Sequence, residues 1–344
     1  MKKASAKQVG LGLLMAIALI VMASCNLSSS QPLPITSPYT PHPTPHTLSQ
    51  QTLPTQPPPQ VDPDRLFQHV KALNFERYQV GDRDRARRYL VKTLTEFGWK
   101  PQLQAFEGGV NVFAQRPGTN ASAGAILVNA HYDTVNGSPG ADDNGSAIAA
   151  TLEIARLLGS CSTPRPLWLA FFDREEAGLV GSLNFTARPE NLANLAGVVN
   201  LEMMGYACHT AGCQKYPEGL PVKPLGDRGD FLGVIGDQEH LSLLNAFQVP
   251  SSNPSTSNLP AIITVPIPFK GLLTPDVLRS DHAPFWAKNI GAVMVGDTAN
   301  FRNPHYHQPS DTPETLDRTF FAGATQRVIN AVSMLLDSQG SLGN

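Results

Sequence analysis

Residues 125–150 read AILVNAHYDTVNGSPGADDNGSAIAA, and this stretch decides the fold. The run Ala125–Val128 is short, apolar and partly β-branched, the pattern of a buried strand. His131 and Asp133 stand where that strand ends. A loop of Gly, Ser, Asn and Pro follows with Asp142 and Asp143, and from Ser146 to Leu158 the residues take on helical spacing. Open α/β sheets place ligand sites in the crevice outside the carboxyl ends of their strands. Two residues apart on extended chain, His131 and Asp133 share a face, so the carboxylate can orient an imidazole whose other nitrogen binds metal. Taken alone, the pair reads as nothing more than a surface His beside an Asp.

The same arrangement recurs downstream. Leu167–Phe172 (LWLAFF) is a second continuous apolar strand, followed at once by Asp173-Arg174-Glu175-Glu176. Val198–Leu201 is a third, followed by Glu202. One such acid would be a helix cap or a loop carboxylate; acids past three successive buried strands point to a shared cation. Helices are expected at Asp62–Leu73, opened by an Asp-Pro cap, and at Asp82–Phe97, stopped by Gly98. Strands are expected at 101–106, 110–115, 231–236 and 292–295, with helices at 238–247 and 317–336. Residues 206–268 are otherwise rich in Pro and Gly and read as irregular. Alternating buried strands and helices predict an α/β fold, a single domain with a central, largely parallel sheet covered on both faces.

Composition narrows the function. The chain has 344 residues, 41% hydrophobic, with 26 Lys plus Arg against 28 Asp plus Glu. This balance gives no reason to expect nucleic acid or an anionic membrane surface as a partner. Lys2, Lys3 and Lys7 precede an uncharged apolar run, Val9–Ala23, of signal-peptide length. The run is shorter than the ~20 apolar residues of a membrane-spanning helix. Its end, Val21-Met22-Ala23-Ser24-Cys25, resembles a bacterial lipobox, departing from it at Met22. That makes residues 1–24 an export signal and Cys25 a lipid-anchored mature N-terminus, the competing reading being ordinary cleavage after Ala23. Residues 25–61 form a Pro/Ser/Thr-rich linker in which Asn26–Val61 holds no Lys, Arg, Asp or Glu, so it is expected to be an extended tether with His42 and His46 as spacers. Residues 62–340 are left as the folded domain.

Together HYD, ADDN, REEAG, NLEM and YHQPSDT, in this order, resemble the di-zinc aminopeptidases of metallopeptidase family twenty-eight, over roughly Arg65 to Leu336. The resemblance implies a zinc-exopeptidase (phosphorylase/hydrolase-like) sheet and two Zn2+ per chain. It assigns His131 and Glu202 to one zinc, Glu176 and His307 to the other, and Asp143 to both as a bridge. It makes Glu175 the general base and Asp133 the carboxylate behind His131. Asp142 is read as a loop residue outside the ligand set, His305 as a weaker rival to His307, and His282 as a cleft or core residue. Each zinc would then have one imidazole, one terminal carboxylate and half a bridge, with a position open for water.

The expected activity is hydrolysis of the N-terminal peptide bond of peptides with a free N-terminus, by a monomer attached to the membrane only through Cys25. A single-zinc glutaminyl cyclase, a carboxypeptidase or dipeptidase of the same family, and a metal-free binding domain are the alternatives. The Ser/His/Asp route is discounted because no G-x-S-x-G elbow occurs. Cys208 and Cys213 read as a small-loop disulfide, leaving Cys161 unpaired.

Overall fold

The computed structural model describes residues 58–218, 220, 226–248, 259–340 and 342. The export signal, Cys25 and the linker as far as residue 57 lie outside the described residues. Eight strands form one sheet: β1 (Gln102–Phe106), β2 (Gly109–Arg116), β3 (Ala125–His131), β4 (Leu167–Phe172), β5 (Leu195–Glu202), β6 (Phe231–Asp237), β7 (Ala261–Ile267) and β8 (Ala292–Gly296). Their spatial order is β1-β2-β4-β3-β5-β8-β6-β7. The pairs β3–β4, β3–β5, β5–β8 and β6–β7 are parallel, whereas β1–β2, β2–β4 and β6–β8 are antiparallel. The parallel block thus sits at the centre, as a sheet buried on both faces requires.

Strand alternation builds two apolar layers. Leu167, Leu169 and Phe171 of β4 face one cluster while Trp168, Ala170 and Phe172 face the other. The first layer is covered by α1 (Pro63–Ala72), α2 (Val80–Glu96), α3 (Ala147–Leu158), α6 (Leu241–Gln248) and α8 (Arg318–Asp337). Against the second lie α4 (Val180–Thr186), α5 (Pro189–Leu192) and α7 (Ala283–Ala287), with Phe185 on Phe113 and Phe172, Phe285 on Phe172, and Leu192 and Trp286 in the same cluster. The Asp-Pro start of α1 is as read, since the Asp62 carboxylate accepts from the amides of Asp64 and Arg65.

β7 departs from the sequence reading. AIITVPI was expected to be irregular, but it is a strand whose Pro266 is tolerated because β7 is the edge of the sheet. The helices α4 and α7 were also not anticipated, being too short to show a period. No helix among the described residues is long and apolar enough to cross a membrane.

Candidate metal centre

The carboxyl ends of β3, β4 and β5 lie side by side, and parallel pairing sets them level: His131 is opposite Phe172, and Asn129 opposite Asn200. The acids that follow each strand therefore converge. Asp143 reaches the same point from the turn Ala141–Ser146, where Asp143 and Asn144 leave helical geometry. A Cβ at Gly140, in the left-handed region, would collide with the Asp143 carbonyl and the Arg77 guanidinium, so glycine lets this turn close. His307 arrives on the loop before α8.

The Asp143 carboxylate faces two ways. Its Oδ1 lies 3.4 Å from His131 Nε2, which is also 3.5 Å from Glu202 Oε1. Its Oδ2 lies 3.2 Å from His307 Nε2, which is 3.1 Å from Glu176 Oε2. The Glu175 carboxylate stands slightly back, with Oε2 3.8 Å from His131 Nε2. Donor atoms of His131, Asp143 and Glu202 lie within 4.8 Å of one another, as do those of Asp143, Glu176 and His307, and those of His131, Glu175 and Glu176. Buried and without a hydrogen-bond partner are Asp143 Oδ1, Glu176 Oε1 and His307 Nε2. Orphaned donors and lone pairs at these atoms, in a pocket of carboxylates and imidazoles, suit divalent zinc.

Protonation equilibria point the same way. Burial pushes Glu176 up to about 7, with the charge of Asp143 adding. Burial also drives Glu175 well above the usual carboxylate range; His131 opposes this, and Glu202, Asp281 and Glu176 reinforce it. His307 is lowered by burial, but Asp143 and Glu176 outweigh that and hold it at about 9. Carboxylates that resist ionisation beside imidazoles that retain protons mark a site short of positive charge. A dication would relieve it, displacing the imidazole protons.

Several supporting contacts were not visible in the sequence. The Asp133 carboxylate sits 3.5 Å from His131 Nδ1, and its main-chain oxygen is nearer, at 3.3 Å. Its two carboxylate oxygens accept from the amides of Glu175 (3.0 Å) and Glu176 (3.2 Å), so one side chain fixes both the imidazole and the REEAG turn. Ser280 donates to Glu202 Oε2 at 2.6 Å and accepts from Asn200 Nδ2 at 2.7 Å. Asp311 accepts from the amides of Asp142 and Asp143 at 2.8 and 3.0 Å. Arg77 donates to the carbonyls of Leu73, Phe75, Tyr132, Pro139 and Gly140 beneath the site.

Asp142 is a loop residue but not a solvated one. It is fully buried and accepts from Gly205 N, Asn303 Nδ2 and Ser146 Oγ. His282 belongs to the core, its Nε2 2.7 Å from the Val277 carbonyl and its ring edge-on to Trp286. His305 bonds Ser310 and stays outside the cluster. Beside Glu202 and Ser280 opens a cavity of about 140 Å³ walled by Phe231, Ile235, Val265, Val277 and Met294. Its margin carries Lys215 and Tyr216, just past the Cys208–Cys213 disulfide, while Cys161 is free.

The family model for peptidase family M28 matches residues 111–222, the span of the first four motifs. The uncharacterized protein YfbL of Escherichia coli is 32% identical over 227 residues, which cover 62% of this chain and 67% of that one. The chain belongs to peptidase family M28. A second relative, "Probable lipoprotein aminopeptidase LpqL" of Mycobacterium tuberculosis, is 32% identical over 223 residues, 61% of this chain and 42% of LpqL. Among solved structures the aminopeptidase from Aneurinibacillus sp. strain AM-1 superposes with a TM-score of 0.62 at 15% identity, covering 82% of this chain and 95% of that one. The Porphyromonas gingivalis glutaminyl cyclase does so with a TM-score of 0.54 at 20% identity, over 79% of this chain and 97% of the other. The fold is therefore that of the M28 aminopeptidases and of glutaminyl cyclases alike.

Proposed function

We propose that this M28 peptidase is an exported di-zinc aminopeptidase, acting on peptides with a free N-terminus. The observation that carries the reading is the two-way Asp143 carboxylate, one oxygen toward His131 and the other toward His307. His131, Asp143 and Glu202 would hold one zinc; Asp143, Glu176 and His307 the other. Zinc there supplies Lewis acidity for the scissile carbonyl and lowers the pKa of water. Glu175 takes the proton of the attacking water and returns it to the departing amine. Asp133 keeps the proton of His131 on Nδ1, leaving Nε2 for metal. The apolar cavity beside Glu202 receives the N-terminal side chain, since a cavity of ~150 Å³ admits a benzene ring. Export and anchoring rest on Lys2–Cys25 and on the similarity to LpqL, a probable lipoprotein.

The test compares Glu175→Gln with Glu176→Gln for metal content and single-turnover rate. Glu175→Gln should retain two zincs and lose ~10²–10⁴-fold in kcat, the contribution of a positioned base. Glu176→Gln should lose one zinc and recover in part with excess metal. If Glu175→Gln sheds zinc while Glu176→Gln keeps it, the roles are exchanged. One zinc in the active wild-type chain favours the cyclase reading, and equal rates on acetylated and free peptides exclude an aminopeptidase.

A further inference from the structure

Eight large hydrophobic side chains are exposed among the described residues, and four of them share one edge of the sheet. Phe269, Leu272 and Leu273, 71%, 78% and 67% exposed, lie on the short connection that follows β7. Leu241, at the start of α6 after β6, is the fourth. A Lys270–Glu239 ion pair ties the two connections together.

The strand ends from which both connections leave lie at the level remote from the metal centre. Gly233 of β6 pairs with Gly296, which is level with Glu202, but β6 is antiparallel to β8, so Asp237 and Ile267 end at the opposite side. Four residues of strand separate the two levels, roughly 13 Å. The apolar connection is also held in shape. Phe269 and Lys270 are both left-handed, at φ 52° and 49°, and Gly271 follows at 81°. The Leu272 amide bonds the Phe269 carbonyl at 3.1 Å, and the Thr274 amide bonds Gly271 at 2.9 Å. Two consecutive left-handed non-glycine residues are costly, and the turn that holds them carries the exposed apolar side chains.

We infer that this edge docks on a lipid bilayer, Phe269, Leu272, Leu273 and Leu241 entering its interface while the metal centre faces away. Cys25, if acylated, brings the bilayer within reach, for the 33 steps to Pro58 span ~100 Å at the polyproline II rise and ~120 Å at most. A tether of this length leaves the domain's orientation free, and a second contact would set it. A second copy of the chain is the poorer occupant. Four side chains on two short connections offer less than the ~800 Å² that each partner gives to a standard interface. Because the contact is apolar in a chain of near-zero net charge, it should be insensitive to salt.

The inference rests on the export reading for the encounter but is tested apart from it. All three native tryptophans are buried, Trp99 at 6%, Trp168 at 7% and Trp286 at 2% exposure, so Phe269→Trp in the full chain places the one exposed indole on the edge. With phosphatidylethanolamine/phosphatidylglycerol vesicles its emission should shift to the blue and be quenched by brominated acyl chains, in 0.5 M NaCl as in low salt. Leu272→Ser/Leu273→Ser should lower partitioning of the Cys25→Ser chain at least ~10-fold and leave peptide hydrolysis unchanged. A Phe269→Trp chain that pellets with its introduced indole unquenched overturns the inference and assigns attachment to the N-terminal segment alone. A chain that stays in solution at lipid excess overturns both. A blue shift without vesicles that grows with protein concentration would replace the bilayer by a second copy.

Discussion

Replacing Ser280 by Ala should weaken the first zinc site about 10–100-fold while leaving the second intact. Ser280 Oγ is buried between Asn200 Nδ2 at 2.7 Å and Glu202 Oε2 at 2.6 Å, so it fixes the carboxylate assigned to that zinc. A hydrogen bond to a charged group contributes ~1.5–3 kcal/mol, and ~1.4 kcal/mol is a factor of ten in affinity. The same range, ~10–100-fold, is typical when a partner behind a metal ligand is removed. Asn200 Nδ2 also loses its acceptor, which should cost the fold a further ~1–3 kcal/mol. Competition against a chromophoric chelator resolves the two sites, and urea unfolding of the zinc-free chain reports the second effect. Ser280→Thr, which keeps the hydroxyl, should restore affinity. Equal weakening of both sites, or none, would refute the placement of Glu202 on one zinc only.

Three further outcomes are expected. His69, buried against Tyr89, is held down to about 4 by burial, partly offset by Glu153. The unfolded chain therefore takes up its proton first, and stability present above pH 6.5 should fall by up to ~3 kcal/mol as pH drops toward 4; His69→Gln should flatten that slope in urea titrations. Arg77→Lys cannot satisfy five carbonyls with a single ammonium group, and should cost at least ~3 kcal/mol in urea unfolding together with zinc affinity. Reducing Cys208–Cys213 should raise KM for bulky apolar N-termini with zinc content unchanged, because the loop reaches the cavity margin at Lys215 and Tyr216. Steady-state kinetics with and without dithiothreitol measure it.

The parts of the site nearest the chain's periodic signals were legible. A buried parallel strand announces itself as a continuous apolar run, and His131, Glu175, Glu176 and Glu202 each follow one within four residues. His307 was placed only by resemblance, since no period surrounds it and His305 has the same chemistry. What remained hidden is long-range in sequence. Ser280 acts on Glu202 across 78 residues, and Asp311 on Asp143 across 168. Asp133 was read for its proximity to His131, while its bonds to the amides of Glu175 and Glu176 depend on how β3 and β4 pair. Pro266 obscured β7 because a proline argues against a central strand and says nothing of an edge.

The position of β8 bears on how the chain comes to be folded. The last strand to be synthesised is not at the margin of the sheet but inside it, between β5 and β6. Until residues 292–296 are available, β5 exposes an apolar, unpaired edge, and the β6–β7 ribbon has nothing to join. Open edges of this kind recruit other chains, and pairings distant in sequence close slowly. A nascent or truncated chain ending before β8 should therefore be prone to aggregate and in need of a holding chaperone, and the halves of the cleft can meet only once β8 has been made.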